Sequence, residues 1–173
     1  FEKIHDRLVV YTAISKTFNM AGLGSSCMMI PNPELKQKIS DSYDACWMFG
    51  PCDLAFTAME AAYTHGDAWV DQQLAYLEGN VETVNTFVAE HMPGVQVTKH
   101  EGTFLMWLDM TCFGKSSREL TSILAKEYGL ALGDGSHYGT QAEGFMRLNI
   151  GCTRDTLIKG LEQMAVMYDK YVK

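Results

Sequence analysis

Lys16 is the residue whose surroundings point most directly to chemistry. It stands in Ser15-Lys16-Thr17-Phe18-Asn19-Met20-Ala21-Gly22-Leu23, between the strand-like run Leu8-Val9-Val10-Tyr11-Thr12 and the apolar run Cys27-Met28-Met29-Ile30. Small residues crowd around it: Ala13, Ser15, Ala21, Gly22, Gly24, Ser25 and Ser26. Bulkier neighbours would deny a flat ligand access to the amine. Most lysines are solvated surface groups. One that leaves a buried-looking strand and enters a small-residue turn is a candidate for more. An amine in an apolar pocket loses part of its preference for the charged form and becomes available as nucleophile and base.

Arg147 is the second candidate, within Phe145-Met146-Arg147-Leu148-Asn149-Ile150. Side chains alternate along a strand, so Phe145, Arg147 and Asn149 share one face, and Met146, Leu148 and Ile150 the other. An arginine inside such a strand needs an anionic partner. Its planar guanidinium suits a ligand carboxylate in two-point fashion. An internal ion pair with Asp or Glu is the simpler reading of the pattern alone.

Other polar residues take plainer readings. His65 closes a helix, His91 lies near a helix C-terminus where a cation is favourable, and His100 precedes a turn. His137 and Tyr138 lie in the glycine loop Gly133-Asp134-Gly135-Ser136-His137-Tyr138-Gly139, within possible reach of a ligand, and Asp134 there reads as a turn former. Cys27, Cys46, Cys52, Cys112 and Cys152 have no metal-type spacing. An odd, scattered set of five beside 11 methionines reads as reduced thiols in a cytosolic protein.

The elements that position these residues read as a mixture of strands and helices. Residues 8–12 predict a buried strand, the lysine segment a turn, and residues 24–30 a second strand. Asn32 caps a helix opening on Pro33. Residues 40–53 give no clear element beyond a break at Gly50-Pro51, after which Asp53 caps a helix from Leu54 to about Tyr63. From Asp67 to Met92, Val70, Leu74, Leu77, Val81, Val84 and Val88 recur by four and three residues, one helical stripe that reads as core packing. Val95 and Val97 begin a strand, and Phe104, Met106 and Leu108 line one side of the next. Ser116 and Glu119 form a capping box, with Gly129 as the C-terminal stop of that helix. Leu130–Leu132 predict a short strand, Phe145–Ile150 the last strand and Asp155–Tyr171 the last helix. An α/β or α+β small domain packed on a larger one follows.

The chain has 173 residues, 47% hydrophobic and 20% charged, enough for one globular domain or two small ones. The net charge of -7 and pI near 5.1, with no basic cluster, argue against nucleic acid or an anionic membrane surface as partner. No apolar run approaches the ~20 residues of a membrane span. No signal peptide is visible, and the chain opens at Phe1 rather than methionine.

The motif Ser15-Lys16-Thr17-Phe18-Asn19-x-Ala21-Gly22-Leu23 resembles the Schiff-base lysine segment of pyridoxal-phosphate enzymes of aminotransferase fold type I. It is closest to the MalY/PatB group of cystathionine β-lyase-like C–S lyases. The resemblance continues, in order, through Glu60–Gly66, Tyr76-Leu-Glu-Gly-Asn80, Glu101–Asp109, Gly133-Asp-Gly135 and Gly144–Ile150. It implies the C-terminal part of such an enzyme: residues 1–66 as the end of the large cofactor domain, and 67–173 as a linking helix and small domain. It implies pyridoxal 5′-phosphate joined to Lys16, Ser15 near its phosphate, and Arg147, in its Arg-x-Asn context, on the substrate α-carboxylate. The expected reaction is α,β-elimination from an amino-acid thioether such as cystathionine, giving thiol, pyruvate and ammonia, in a homodimer when full-length. An aminotransferase of the same fold, an inert fragment that only packs or dimerises, and a cofactor-binding regulator are the alternatives. Many aminotransferases carry a phosphate-binding arginine eight residues after the lysine, where this chain has Gly24; the lyase group lacks it too. Only 15 residues precede Lys16. The resembled enzymes draw the ring-nitrogen aspartate, stacking aromatic and phosphate loop from upstream of the lysine. The isolated chain is therefore expected to bind the cofactor poorly.

Overall fold

The computed structural model describes residues 2–48 and 50–173. Phe49, inside the stretch 40–53 that the sequence left open, lies outside the described residues, as does Phe1. The chain divides into two compact units, Phe1–Gln72 and Gln73–Lys173, with the border inside a long helix.

In the first unit, strands β1 (Val10–Thr12) and β2 (Cys27–Met29) pair antiparallel, with Val10 opposite Met29 and Thr12 opposite Cys27. Between them lie a one-turn helix, α1 (Ile14–Thr17), and a 3-10 turn, Ala21–Leu23. The lysine segment is thus a short helix and a turn, rather than a turn alone. The expected buried strand over 8–12 is shorter and largely exposed, Val10 at 37% and Tyr11 at 63%. A two-stranded ladder has two faces to cover. The unit's core gathers instead on Ile14, Phe18, Met59 and Ala62. Helix α2 (Pro33–Ala45) starts as its sequence dictates, with Pro33 at its first position and the Asn32 side chain accepting from the Glu34 and Leu35 amides. Helix α3 (Asp53–His65) opens one residue earlier than expected. Cys52 holds the cap position without a side-chain bond, and Asp53 lies in the first turn, where its charge suits the helix dipole. Gly66 follows because the Phe18 ring lies where its Cβ would be.

Helix α4 (Asp67–His91) carries the predicted stripe, but only its C-terminal half is core. Leu77, Val84 and Val88 are buried, Val70 and Val81 are half-buried, and Leu74 is 58% exposed. The periodicity marks the right face, while the second unit's core begins only at Leu77.

The second unit is an antiparallel sheet with helices. Strands β3 (Gln96–Val97), β4 (Leu105–Asp109), β5 (Gly133–Asp134) and β6 (Phe145–Asn149) run in the order β3-β4-β6-β5. Met106, Leu108 and Met146 turn to the buried face, against a core that includes Val84, Leu120, Leu161 and Met164. Helix α5 (Ser117–Tyr128) has the predicted capping box, and Gly129 closes it at φ 66°. The strand expected at Leu130–Leu132 falls instead on Gly133–Asp134, because those residues meet Arg147 and Met146 in register. Leu130 and Leu132 pack on the core as connecting chain. Helix α6 (Arg154–Tyr171) opens on Thr153, whose side chain accepts from the Thr156 amide.

Candidate active site

The first unit presents Lys16 by pinning the residues on either side of it. Ile14 is fully buried and Phe18 nearly so. Four residues apart, they share the inner side of the α1 turn, which leaves Lys16, two from each, on the outer side. The Phe18 ring is fixed in turn by Tyr63, edge-on at 5.9 Å, and by Trp69, stacked at 6.2 Å. Asn19 turns the chain at φ 54°, a left-handed conformation that asparagine tolerates better than most residues. Lys16 is exposed and Ser15 half-buried. The apolar pocket expected around the amine is therefore not formed by this unit; the same buried pair that orders the turn directs the lysine outward. Gly24 closes the Ala21–Leu23 turn at φ 57°, where an arginine would be strained.

The second unit presents Arg147 at the middle of its sheet. Trp107 of β4 lies opposite it on one side and Gly133 of β5 on the other. Trp107, Phe145 and Arg147 are each half-buried on one face, with Met106 and Met146 buried on the other, as alternation required. The guanidinium carbon of Arg147 lies 5.2 Å over the centre of the Tyr138 ring. Among the described residues, Arg147 enters no ion pair, so the internal Asp or Glu that its pattern allowed is not there. Asp134 behaves as a turn former: its carboxylate accepts from the Ser136 amide at 2.8 Å and hydroxyl at 2.7 Å. The Ser136 hydroxyl is the main reason its carboxyl titrates below the ordinary range.

Two features escaped the sequence reading. Tyr138, in the glycine loop, is the ring that lies on Arg147. Asn80, fully buried, ties α4 to the end of β6: its amide donates to the Ile150 carbonyl at 2.8 Å and the Cys152 carbonyl at 3.2 Å, and its oxygen accepts from Arg154 Nε at 3.0 Å. Tyr76 joins the same knot, its hydroxyl accepting from the Arg154 amide and its carbonyl from Arg154 Nη2. The spacing of Tyr76 and Asn80, one helical turn apart, was the available signal.

Comparison with known proteins fits this arrangement. The family model described as aminotransferase class I and II matches residues 1–164. The chain belongs to that family. Within it, the chain is 38% identical over 159 residues to cystathionine β-lyase PatB of Bacillus subtilis, covering 92% of this chain and 41% of PatB. The crystal structure of cystalysin from Treponema denticola, which contains pyridoxal 5′-phosphate, superposes with a TM-score of 0.91 at 26% identity, over 100% of this chain and 44% of that one. A pyridoxal-phosphate-bound C–S lyase from Staphylococcus hominis, complexed with the inhibitor L-cycloserine, matches with a TM-score of 0.82 at 27% identity, over 94% and 39%. The fold is thus that of fold type I pyridoxal-phosphate enzymes, and the chain spans about two fifths of the length of the relatives it matches. Among the described residues, no helix is long and apolar enough to cross a membrane.

Proposed function

We propose that the complete polypeptide carrying this chain is a pyridoxal-phosphate-dependent C–S β-lyase, and that this chain supplies its anchoring lysine and its substrate-carboxylate site. The reading is carried by the half-buried Arg147, in no ion pair among the described residues, in a chain 38% identical to a cystathionine β-lyase. The donors suit the cofactor. An exposed primary amine on an ordered turn is what covalent attachment to an aldehyde requires, and the Ser15 hydroxyl beside it is a phosphate donor. When bound, pyridoxal phosphate supplies the electron sink that makes the substrate α-proton removable.

The protein's own part is binding, orientation and proton transfer. Arg147 grips the α-carboxylate through its two-point fork and so fixes how the Cα–H bond is presented. The Lys16 amine would remove the α-proton and return a proton to the departing sulfur. The Cα–H and Cβ–S bonds break, a thiol leaves, and water converts the remaining unsaturated amino acid to pyruvate and ammonia. Residues 1–66 act as the end of the cofactor domain and 67–173 as linking helix and substrate-gripping domain.

The test uses the complete polypeptide loaded with pyridoxal phosphate and given cystathionine. Pyruvate and thiol should form with no 2-keto acid added, and Lys16→Ala should form none. A strict requirement for a 2-keto acid would make the protein an aminotransferase instead. Arg147→Ala should lose roughly ten- to a hundredfold in preference for the amino acid over its decarboxylated amine, the worth of a charge-assisted hydrogen-bonding partner of about 1.5–3 kcal/mol. Arg147→Lys should not restore it, since an ammonium has no planar fork.

A further inference from the structure

We propose that Tyr138 is a positioning residue for substrate binding, setting the plane of the Arg147 guanidinium so that its donors face an incoming carboxylate. The proposal rests on the reading of Arg147 as the carboxylate site and assigns a task to the glycine loop beside it.

An arginine side chain loses rotamer freedom when it is fixed. A guanidinium that finds its fork geometry only when substrate arrives loses that freedom at the moment of binding. Among the described residues, Arg147 is ordered beforehand by contacts that use none of its donors. The Tyr138 ring lies under its central carbon at 5.2 Å, an attraction through the ring face that leaves the N–H groups available. On the opposite strand, Gly133 has no side chain, and a Cβ there would press to 3.2 Å on both Cβ and Nε of Arg147. The guanidinium therefore has room on the Gly133 side and a ring to rest on.

Tyr138 is itself held. Trp107 meets it edge-on at 5.5 Å and 87°, and Trp107 is stacked on Phe145 at 5.8 Å and 22°. Trp107 and Phe145 flank Arg147 on the same face of the sheet, so the three aromatic rings and the guanidinium form one connected group. The backbone that carries Tyr138 is a 3-10 turn, Gly135–Tyr138, rather than a free loop. Asp134 caps it through the Ser136 amide. At Gly135 the chain passes so close to the Phe145 and Ala142 carbonyl oxygens that any side chain would collide with both. Yet Tyr138 is 56% exposed, so the turn does not serve to bury it. An ordered turn that holds an exposed ring against an arginine with no carboxylate partner among the described residues is explained by what it does to the arginine.

The ring face, rather than the phenol hydroxyl, carries the effect. In the complete, cofactor-loaded polypeptide, Tyr138→Phe should keep the amino-acid preference within about twofold. Tyr138→Leu should lower kcat/KM for an amino-acid thioether about three- to tenfold more than kcat/KM for the matching decarboxylated amine, mostly through KM, in line with the worth of an exposed to partly desolvated cation–π contact. A merely structural tyrosine would lower both substrates equally, and that result overturns the proposal, as does a Phe variant that behaves like Leu. If Arg147→Ala leaves the preference for the amino acid intact, the carboxylate reading itself fails. If Arg147→Ala abolishes the preference and Tyr138→Leu keeps it, only the role of Tyr138 is lost.

Discussion

Removing the Asn80 side chain should be among the most damaging single changes in the second unit. Asn80 has one orientation that satisfies its surroundings: the amide nitrogen faces the Ile150 and Cys152 carbonyls, and the oxygen faces the Arg154 guanidinium. Asn80→Ala strips a donor from two carbonyls and an acceptor from a cationic Nε, at a site with no solvent access to the side chain. At about 1 kcal/mol for each carbonyl and about 1.5 for the charged group, the cost is about 3–4 kcal/mol. That is a large part of the 5–15 kcal/mol that holds a typical domain. For a unit of about 100 residues it corresponds to a fall of roughly 12–25 °C in Tm. Asn80→Asp keeps the shape but sets carboxylate oxygens against two carbonyls, so it should rescue little. Hydrogen exchange read by peptide mass is the assay, because it separates the two units. Protection should fall in the peptides holding Ile150–Arg154 and in α4 from Leu77 onward, with residues up to Gln72 little changed. A cost under about 1 kcal/mol, or loss of protection confined to the first unit, would refute the reasoning.

Two further perturbations test local devices. Ser116→Ala removes the hydroxyl that accepts from the Glu119 amide and donates to its carboxylate at 2.6 Å, and urea unfolding should show a loss of about 1 kcal/mol. The same hydroxyl is the main reason the Glu119 carboxyl titrates below its ordinary range. A lowered folded-state value contributes stability that is present above the unfolded value, about 4.3, and lost as pH falls through the folded one. Acidification from pH ~5 to ~3 should therefore weaken α5, and Ser116→Ala should flatten that decline in pH-dependent urea midpoints. Tyr168→Phe leaves the Gly94 amide without the hydroxyl it donates to at 2.9 Å; a loss of about 1–2 kcal/mol and faster exchange of that amide are expected.

The parts of the fold that were legible in the sequence are those whose partners lie within one helical turn. Asn32, and Ser116 with Glu119, bond to backbone two or three residues away, and Pro33 brings its own fixed φ to the first helical position, so the chain itself specifies the geometry. Strand ends are set by a partner the sequence does not name. Leu130–Leu132 has the apolar character of a strand, yet the ladder takes Gly133 and Asp134 because these meet Arg147 and Met146. Alternation correctly puts Arg147 on the face away from Met146 and Leu148, but the absence of an ion-pair partner among the described residues and the presence of Tyr138 are facts of tertiary placement.

Lys16 shows the same division within one motif. Its small-residue collar suggested a pocket, whereas spacing to Ile14 and Phe18 decides its direction. Burying those two residues on one side of a single helical turn sends the residue between them to the other. Phe18 is in turn the residue that makes Gly66 necessary, 48 positions away. A motif that reads as a lysine with decorations is therefore two jobs interleaved: Ile14, Phe18 and Asn19 build the turn, and Lys16 lies on its exposed side with Ser15 half-buried beside it. Phe18→Ala should then disturb the lysine through the turn rather than through direct contact. It removes a ring packed on Tyr63 and Trp69, at about 3–5 kcal/mol for a buried phenylalanine, and frees the turn that aims the amine. The check is Trp fluorescence and hydrogen exchange across Ile14–Leu23. If the Phe18→Ala turn stays as protected as wild type, Phe18 does not order the lysine segment.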